Sequence, residues 1–415
     1  MSQFKSLEQW LDYFEYRHRE PIQLGLDRFN RALLFFGLTF QQSLVITVGG
    51  TNGKGSTVAA LDAIYTAAGY RVGRYTSPHL FRFNERICVA QQEVSDDVLC
   101  HVFERIQACP ESLSLTYFEV TTLAALMIFH QERLDVILLE VGMGGRLDAT
   151  NAIDADLSII TTVDLDHQDW LGETVELIGA EKAGILRPGK PALYADDRPP
   201  FSVIAKANEL NVNLFCLNEA YRFSLTENDF VVSMDEQFFV LPKPSIHPKA
   251  AAAAVVATQI MQSSYPVEVF HLIAALQQVM IVGRQQWKVG DITELYDVAH
   301  NPQAVALLAQ SVARYESRGT VRAVFSALKD KDLPGLIQPM AELVDVWYPA
   351  LLSGPRQASE EILCSAFERV QCHHKKCYNT PVQAFDAARR EAKKGDVIVV
   401  FGSFLTVSAV LSSQS

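Results

Sequence analysis

Residues 49–57 read Gly49-Gly50-Thr51-Asn52-Gly53-Lys54-Gly55-Ser56-Thr57. Glycines in such a run let backbone N–H groups close around phosphate oxygens, and a lysine among them can reach the outer phosphates. A hydroxyl after the lysine can touch Mg2+, and a helix that follows points its positive end at the anion. The standard phosphate-loop pattern puts Ser or Thr directly after the lysine; here Gly55 intervenes before Ser56. A glycine-rich turn that binds nothing is the bland alternative. A lysine, three hydroxyls and four glycines weigh against it.

Other reactive side chains fall where an open α/β sheet places ligands, beyond the carboxyl ends of strands. Glu140 lies near the end of the apolar run 136–141 and is followed by Gly142-Met143-Gly144-Gly145-Arg146-Leu147-Asp148. Asp164, Asp166 and His167 follow the run 157–163, and Ser77 follows a short strand. Mg2+ prefers oxygen donors, so His167 is the weakest of these on chemistry alone. The plain alternatives are Glu140 paired with Arg146 and His167 as a loop histidine at a helix start. Lys182 closes a helical stretch and reads by itself as a helix-terminal charge. Cys372-His373-His374-Lys375-Lys376-Cys377 has two lysines inside it and no second half-site nearby, so it reads as a solvated loop rather than a metal cluster.

These residues need a scaffold, and the chain supplies alternating elements. The run 44–48 is a strand, and Val58, Leu61, Ile64 and Tyr65 mark the helix 57–68. A helix over 120–130 and strands over 136–141 and 157–163 continue the alternation, which predicts a parallel sheet with helices on both faces. Residues 221–240 change style and predict short antiparallel strands appended to that sheet. A helix returns over 248–262. After Gly290 the alternation starts afresh, with strands over 292–298, 322–328, 346–351 and 397–402 and helices over 302–315, 333–343, 360–370 and 381–392. The expected class is α/β: a P-loop-containing doubly wound N-terminal ATPase domain over 1–282, a linker over 283–290, and a smaller Rossmann-like C-terminal domain over 291–415.

With 415 residues, 49% of them apolar, the chain can bury two cores. A net charge of −12 argues against general nucleic-acid binding, which wants a basic face. The polar, charged stretch 1–10 does not read as a secretory signal, and no apolar run approaches the length of a membrane helix. Seven cysteines without framework spacing suit a reducing cytoplasm. The lack of a coiled-coil seam makes a monomer the default.

Together these strings resemble a family. Residues 50–57, Ser77-Pro78-His79-Leu80, Leu115-Thr116-Tyr117-Phe118-Glu119, 140–151, Leu165-Asp166-His167, Asp169-Trp170-Leu171-Gly172, 181–185 and Asp297-Val298-Ala299-His300-Asn301-Pro302 are similar to the folylpolyglutamate synthase/dihydrofolate synthase family, bifunctional bacterial type, of the Mur ligase superfamily. The resemblance runs from about residue 24 to residue 407, in the family's order. It implies the Mur ligase fold and ATP-dependent, ADP-forming ligation of L-glutamate to dihydropteroate and to reduced folates, in folate biosynthesis and one-carbon metabolism. A carboxylate becomes an acyl phosphate, and the glutamate amine displaces phosphate.

By the same resemblance, Thr51, Asn52, Gly53, Lys54, Gly55 and Ser56 hold the ATP phosphates. Ser77, Glu140 and His167 match metal positions. Lys182 matches a lysine carbamylated by CO2 that helps hold a second Mg2+. Arg284 matches an ATP-contacting arginine, and Asp297 and His300 match residues that face the site from the second domain. Ser403 is a weaker candidate for the amino-acid side. Ile22, Gln23, Leu24, Thr116, Tyr117, Phe118, Glu119, Leu147, Asp148 and Ala149 match segments lining the dihydropteroate pocket. Tyr117 and Phe118 could stack a flat ring or serve as core aromatics. One departure stands out: many members carry a nucleotide-contacting Asn where this chain has Lys249, and a lysine cannot accept a hydrogen bond as an amide can.

Three rival readings remain. A peptidoglycan-precursor ligase of the same superfamily would carry a UDP-binding domain before the phosphate loop, and 48 residues are too few for a usual domain. A nucleotide-dependent switch would need the loop but not the carboxylate, histidine and lysine together. A folylpolyglutamate synthase without dihydropteroate activity is the serious alternative.

Overall fold

An unbroken apolar run has no side fit for water, and Leu44–Gly49 accordingly forms a strand, β1, buried along its whole length. It lies at the centre of the first of two units, Met1–Val279 and Met280–Ser415. The computed structural model describes residues 4–17, 23–315 and 319–414. The remaining strands of the central sheet are β2 (Val72–Tyr75), β3 (Ile87–Val89), β4 (Gln92–Glu93), β5 (Val136–Glu140), β6 (Leu157–Ile160), β7 (Ala192–Tyr194) and β8 (Leu214–Cys216). Their order is β4-β3-β2-β5-β1-β6-β7-β8. All neighbours pair in parallel except β2 with β3 and β3 with β4.

The chain leaves β1 towards β2 on one side and later adds β6, β7 and β8 on the other. The connections diverge at β1, which opens a crevice past its carboxyl end. Register places the candidate groups there: Val48 sits opposite Glu140 and Gly49 opposite Ile160. One face of the sheet, carrying Val45, Ile137 and Leu139, packs on a core built with helices Leu7–Arg17, Asp27–Phe36, Asp96–Gln107 and Tyr117–Glu132. Helix Lys54–Ala67 packs against helices Pro248–Ile260 and Val269–Gln278. Helices Val175–Ala183 and Phe201–Glu209 pack on each other beside Val141, Ile160 and Tyr194.

The expectation for 221–240 needs correction. Strands β9 (Tyr221–Leu225), β10 (Asp229–Met234) and β11 (Gln237–Pro242) form their own antiparallel sheet in the order β11-β10-β9, rather than extending the central one. The alternation explains why: one face buries Phe230, Val232, Phe239 and Leu241, and the other leaves Phe238 and Val240 exposed.

The second unit holds β12 (Gln286–Lys288), β13 (Thr293–Tyr296), β14 (Val321–Phe325), β15 (Val346–Pro349) and β16 (Val397–Phe401), in the order β12-β13-β16-β14-β15. The last four pair in parallel, and β12 runs antiparallel to β13, so the stretch read as a linker carries an edge strand. Its core is distinct from those of the first unit and gathers Leu295, Phe325, Trp347, Phe367 and Phe401. Cys372 and Cys377 pack against this core, and His374 lies against Phe367 with ring centroids 4.8 Å apart. All seven cysteines are free. No helix among the described residues is long and apolar enough to cross a membrane.

Candidate functional site

The glycine loop is laced to the end of β6. Thr51 N–H donates to the Thr162 carbonyl at 2.8 Å, and Asn52 N–H to Thr162 Oγ1 at 2.9 Å. Thr161 Oγ1 donates to the Asn52 carbonyl at 2.6 Å, and Asp164 N–H to Thr51 Oγ1 at 3.0 Å. Gly50 has φ +141°, and a Cβ there would stand 1.9 Å from Thr161 Oγ1, so only glycine lets the loop lie this close. Gly53, at φ +85°, caps helix Lys54–Ala67, which starts as the loop ends. Gly55 and Ser56 therefore stand in its first turn, where backbone N–H groups lack intrahelical acceptors. Lys54 Nζ donates to the carbonyls of Gly50 at 2.9 Å and Thr51 at 3.1 Å, so the lysine arches back over the loop. Thr57 Oγ1 donates to the Gly53 carbonyl, which makes Thr57 a helix-binding hydroxyl and Ser56 the other hydroxyl of the turn.

Beside the loop, Glu140 ends β5 as a buried carboxylate. Ser77 N–H donates to Glu140 Oε2 at 3.2 Å, which brings two of the three metal candidates together. Arg146 pairs with Glu181 at 2.8 Å. His167 caps the short helix Gln168–Leu171 with φ +51°, and its Nε2 stands 3.9 Å from Asp166 Oδ2. Among the described residues, no three His, Cys, Asp or Glu side chains gather as a ready metal cage. A carboxylate and a hydroxyl beside a phosphate loop still fit Mg2+, which keeps several waters and is bound by one or two carboxylates plus substrate phosphates.

Lys182 is not the solvated helix-end charge that its sequence position suggests. It lies in the last turn of helix Val175–Ala183 yet is only 3% exposed. That helix end is tied to the glycine turn after β5: Arg146 N–H donates to the Glu181 carbonyl at 2.8 Å, and Asn151 Nδ2 donates to the Gly184 carbonyl at 3.0 Å. Burial, and then the charge of Lys54, pull its ammonium down to about 7, against a smaller pull upward from Asp166. Among the described residues it forms no salt bridge.

The residues expected to line an acceptor pocket fall into two kinds. Phe118 lies against Gly142, where a Cβ would come within 2.5 Å of the ring, and its centroid is 6.0 Å from that of Tyr75. Tyr117 is the half-buried first residue of its helix. Thr116 and Glu119 instead form a capping box: Glu119 N–H donates to Thr116 Oγ1, and Glu119 Oε2 accepts from Thr116 N–H at 2.8 Å. Asp148 is a buried cap that accepts from Met143 N–H at 2.9 Å and from Thr150 Oγ1 at 2.7 Å, and burial raises its carboxyl. Leu147 is half-buried and Ala149 buried beside it.

Sequence reasoning missed Arg28. It meets Glu119 at 2.9 Å and donates to the Gln23 carbonyl, so it brings the Gln23–Leu24 segment onto the capping box. Ile22 lies outside the described residues. Also missed were Arg86 and the side chain of His79: Arg86 Nε donates to His79 Nδ1 at 2.9 Å, and burial followed by the Arg86 charge pushes the imidazole down to about 4. No local pattern marks either pair: the first joins residues 91 positions apart and the second lies in a stretch without periodicity.

Lys249, at the start of helix Pro248–Ile260, pairs with both Asp196 and Asp197, the latter at 2.9 Å. Burial pulls its ammonium down, but the two carboxylates outweigh it and hold it above the usual lysine range. Those aspartates follow β7, two strands from β1 on the same edge of the sheet.

Within the second unit, Arg284 and His300 both lie against Phe404, at 5.5 Å and 5.7 Å from its ring. Asp297 Oδ2 accepts from Gln285 N–H and Oδ1 from Ala299 N–H, while loss of solvation pushes its carboxyl up to about 6. His300 Nδ1 is 2.9 Å from the Val298 carbonyl and must carry a proton to donate to it. Ser403 caps helix Phe404–Ser412, accepting from Thr406 N–H at 3.0 Å.

Comparison with known proteins bears on this arrangement. Residues 48–239 match the Mur ligase middle domain, and residues 283–404 match the Mur ligase, glutamate ligase domain. The chain is 39% identical over 406 residues to the dihydrofolate synthase/folylpolyglutamate synthase of Escherichia coli K12, covering 98% of this chain and 94% of that one. A solved structure of E. coli FolC in complex with DHPP and ADP superposes with a TM-score of 0.94 at 38% identity, over 99% of this chain and 98% of the other. A bifunctional folylpolyglutamate synthase/dihydrofolate synthase crystallised with Mn, AMPPNP and L-glutamate gives 0.91 at 40% identity, with coverage of 99% and 98%.

Proposed function

The chain belongs to the dihydrofolate synthase/folylpolyglutamate synthase family of Mur ligases, and from that premise we propose how its own residues carry the reaction. It is an ATP-dependent ligase that joins L-glutamate to dihydropteroate and to reduced folates. The observation that carries the reading is the pairing of Lys54 with a second, buried lysine, Lys182, that has no carboxylate in salt-bridge contact. A buried ammonium beside the half-buried Lys54 is costly unless an anion joins it. A triphosphate, and a carbamate on Lys182, are such anions.

A free carboxylate resists amine attack because oxide is a poor leaving group. Attack of a carboxylate oxygen on the γ-phosphorus forms one P–O bond and releases ADP. The neutral amine of glutamate then attacks the acyl carbon, loses a proton, and expels phosphate. Phosphoryl transfer asks the protein chiefly for position and charge neutralisation. Gly53 to Ser56 would offer backbone N–H groups and Lys54 its ammonium, in a loop that Thr51 and Asn52 anchor through their N–H groups on Thr162. Ser77 and Glu140 would hold Mg2+, with His167 as a third candidate, and the metal would supply charge neutralisation between phosphate oxygens. A second Mg2+ would rest on carbamylated Lys182. An amine must be neutral to combine with CO2, releasing a proton as the carbamate forms, and an ammonium lowered to about 7 meets that condition near neutral pH. Arg284 and Asp297 are assigned to ATP, His300 and Asp297 to catalysis, and Ser403 to the glutamate side. Gln23, Leu24, Tyr117, Phe118, Leu147 and Ala149 are assigned to the acceptor, positioned by Thr116, Glu119 and Asp148. Lys249 is read as a tie for the Asp196–Asp197 turn rather than a phosphate ligand, because two carboxylates already neutralise it. Free cysteines throughout suit a cytoplasmic enzyme, and a monomer is the default.

Purified protein given ATP, Mg2+, glutamate and dihydropteroate should release phosphate only when all four are present. Replacing dihydropteroate by a reduced folate tests the second activity. Release without an acceptor, or none with either acceptor, sinks the reading.

A further inference from the structure

Arg86 stands next to the proposed chemistry without a role in it. Its carbonyl accepts the Thr76 N–H at 2.9 Å, so its backbone is bonded to the residue before Ser77. Its guanidinium lies 5.5 Å from the Phe83 ring centre and 5.8 Å from that of Tyr117, the first residue of the helix that carries Phe118. Arg28, Arg74, Arg146 and Arg187 of the same unit each meet a carboxylate. Among the described residues, Arg86 meets none, in a chain with a net charge of −12.

A guanidinium carries five N–H donors and no acceptor. One, on Nε, is taken by His79 Nδ1 at 2.9 Å. That bond requires a lone pair on Nδ1, so His79 acts here as a neutral acceptor. It fixes the plane of the guanidinium and directs the Nη edge away from itself. Cation–π contact with the Phe83 and Tyr117 rings restrains it further. A planar fork held in this way suits a carboxylate bidentately. The reaction also calls for such a cation, since an anionic acceptor must approach an anionic triphosphate.

We propose that Arg86, aimed by His79, binds the carboxylate of the pteroate-type acceptor, with Arg86 a substrate-binding residue and His79 a positioning residue. This rests on the ligase reading above.

The test compares two probes on the full-length protein: dihydropteroate and the same molecule lacking its carboxyl group. Affinity is read by direct titration, and acceptor-dependent phosphate release by steady-state kinetics. Arg86→Gln should weaken dihydropteroate binding about 30-fold, the cost of a lost charged, bidentate contact, and leave the decarboxylated probe within twofold. Arg86→Lys should recover part of the loss. His79→Leu should raise the acceptor KM about tenfold with little change in kcat or in the KM for ATP, and His79→Gln, which keeps an acceptor, should restore it. Equal weakening of both probes, or no weakening of either, overturns the proposal. Native ATP binding by each variant shows that it is folded. Failure of the wild-type protein to release phosphate with dihydropteroate would instead overturn the ligase reading.

Discussion

A single ammonium can decide this chemistry. Lys54 is the counter-charge of the loop, so Lys54→Ala should lower kcat/KM at least about 10³-fold while the thermal midpoint stays near that of the parent. Phosphate release and a melting curve check the two halves. Lys182 makes a sharper case. Lys182→Ala should fold yet be inactive, and short carboxylic acids should restore part of its activity by supplying the missing anion. The sign of the pH effect follows from burial. The folded group sits near 7, below its ordinary 10.5, so the free amine prevails above about 7 and the ammonium below it. A carbamate signal from 13C-labelled bicarbonate should therefore fade as pH drops from 8 to 6. A signal that grows on acidification would refute the carbamate.

The loop and its strand form one element, and its geometry leaves little slack. Gly50→Ala would force a positive φ on a side chain and drive Cβ into Thr161. It should cost more than about 1 kcal/mol of stability and remove ATP binding, as read by denaturant unfolding and nucleotide titration. Elements of this kind were legible in the sequence. Helix Lys54–Ala67 starts three residues earlier than its apolar periodicity suggests, because the glycine loop itself supplies the cap. The strand at 136–140 and the alternation of the second unit follow from short apolar runs, which are local signals. What stayed hidden is tertiary. Lys182 has the sequence context of a surface charge, yet it is buried beside Lys54 and Asp166. Glu119 and Asp148 look like pocket carboxylates in the sequence, which gives no sign that Glu119 Oε2 also closes a capping box or that Asp148 Oδ1 caps a turn. Arg28 and Arg86 act on residues 91 and 7 positions away, with no periodic trace of either contact.

At the scale of the whole molecule, the chain is two units with separate cores. Residues 280–415 include a five-stranded sheet and buried Trp347, Phe325 and Phe401. Expressed alone, that stretch should unfold in one cooperative transition that coincides by circular dichroism and tryptophan fluorescence. A broad, non-coincident melt would show that its core is incomplete.

Arg28 grips the Gln23 carbonyl with one arm and the Glu119 carboxylate with the other. One cation is thus a rivet through two pieces of chain that are almost a hundred positions apart. If it is drawn out, as in Arg28→Met, amide protons over 24–26 and 117–120 should exchange with solvent faster in step. Loosening of one piece alone would mean that they are fastened separately.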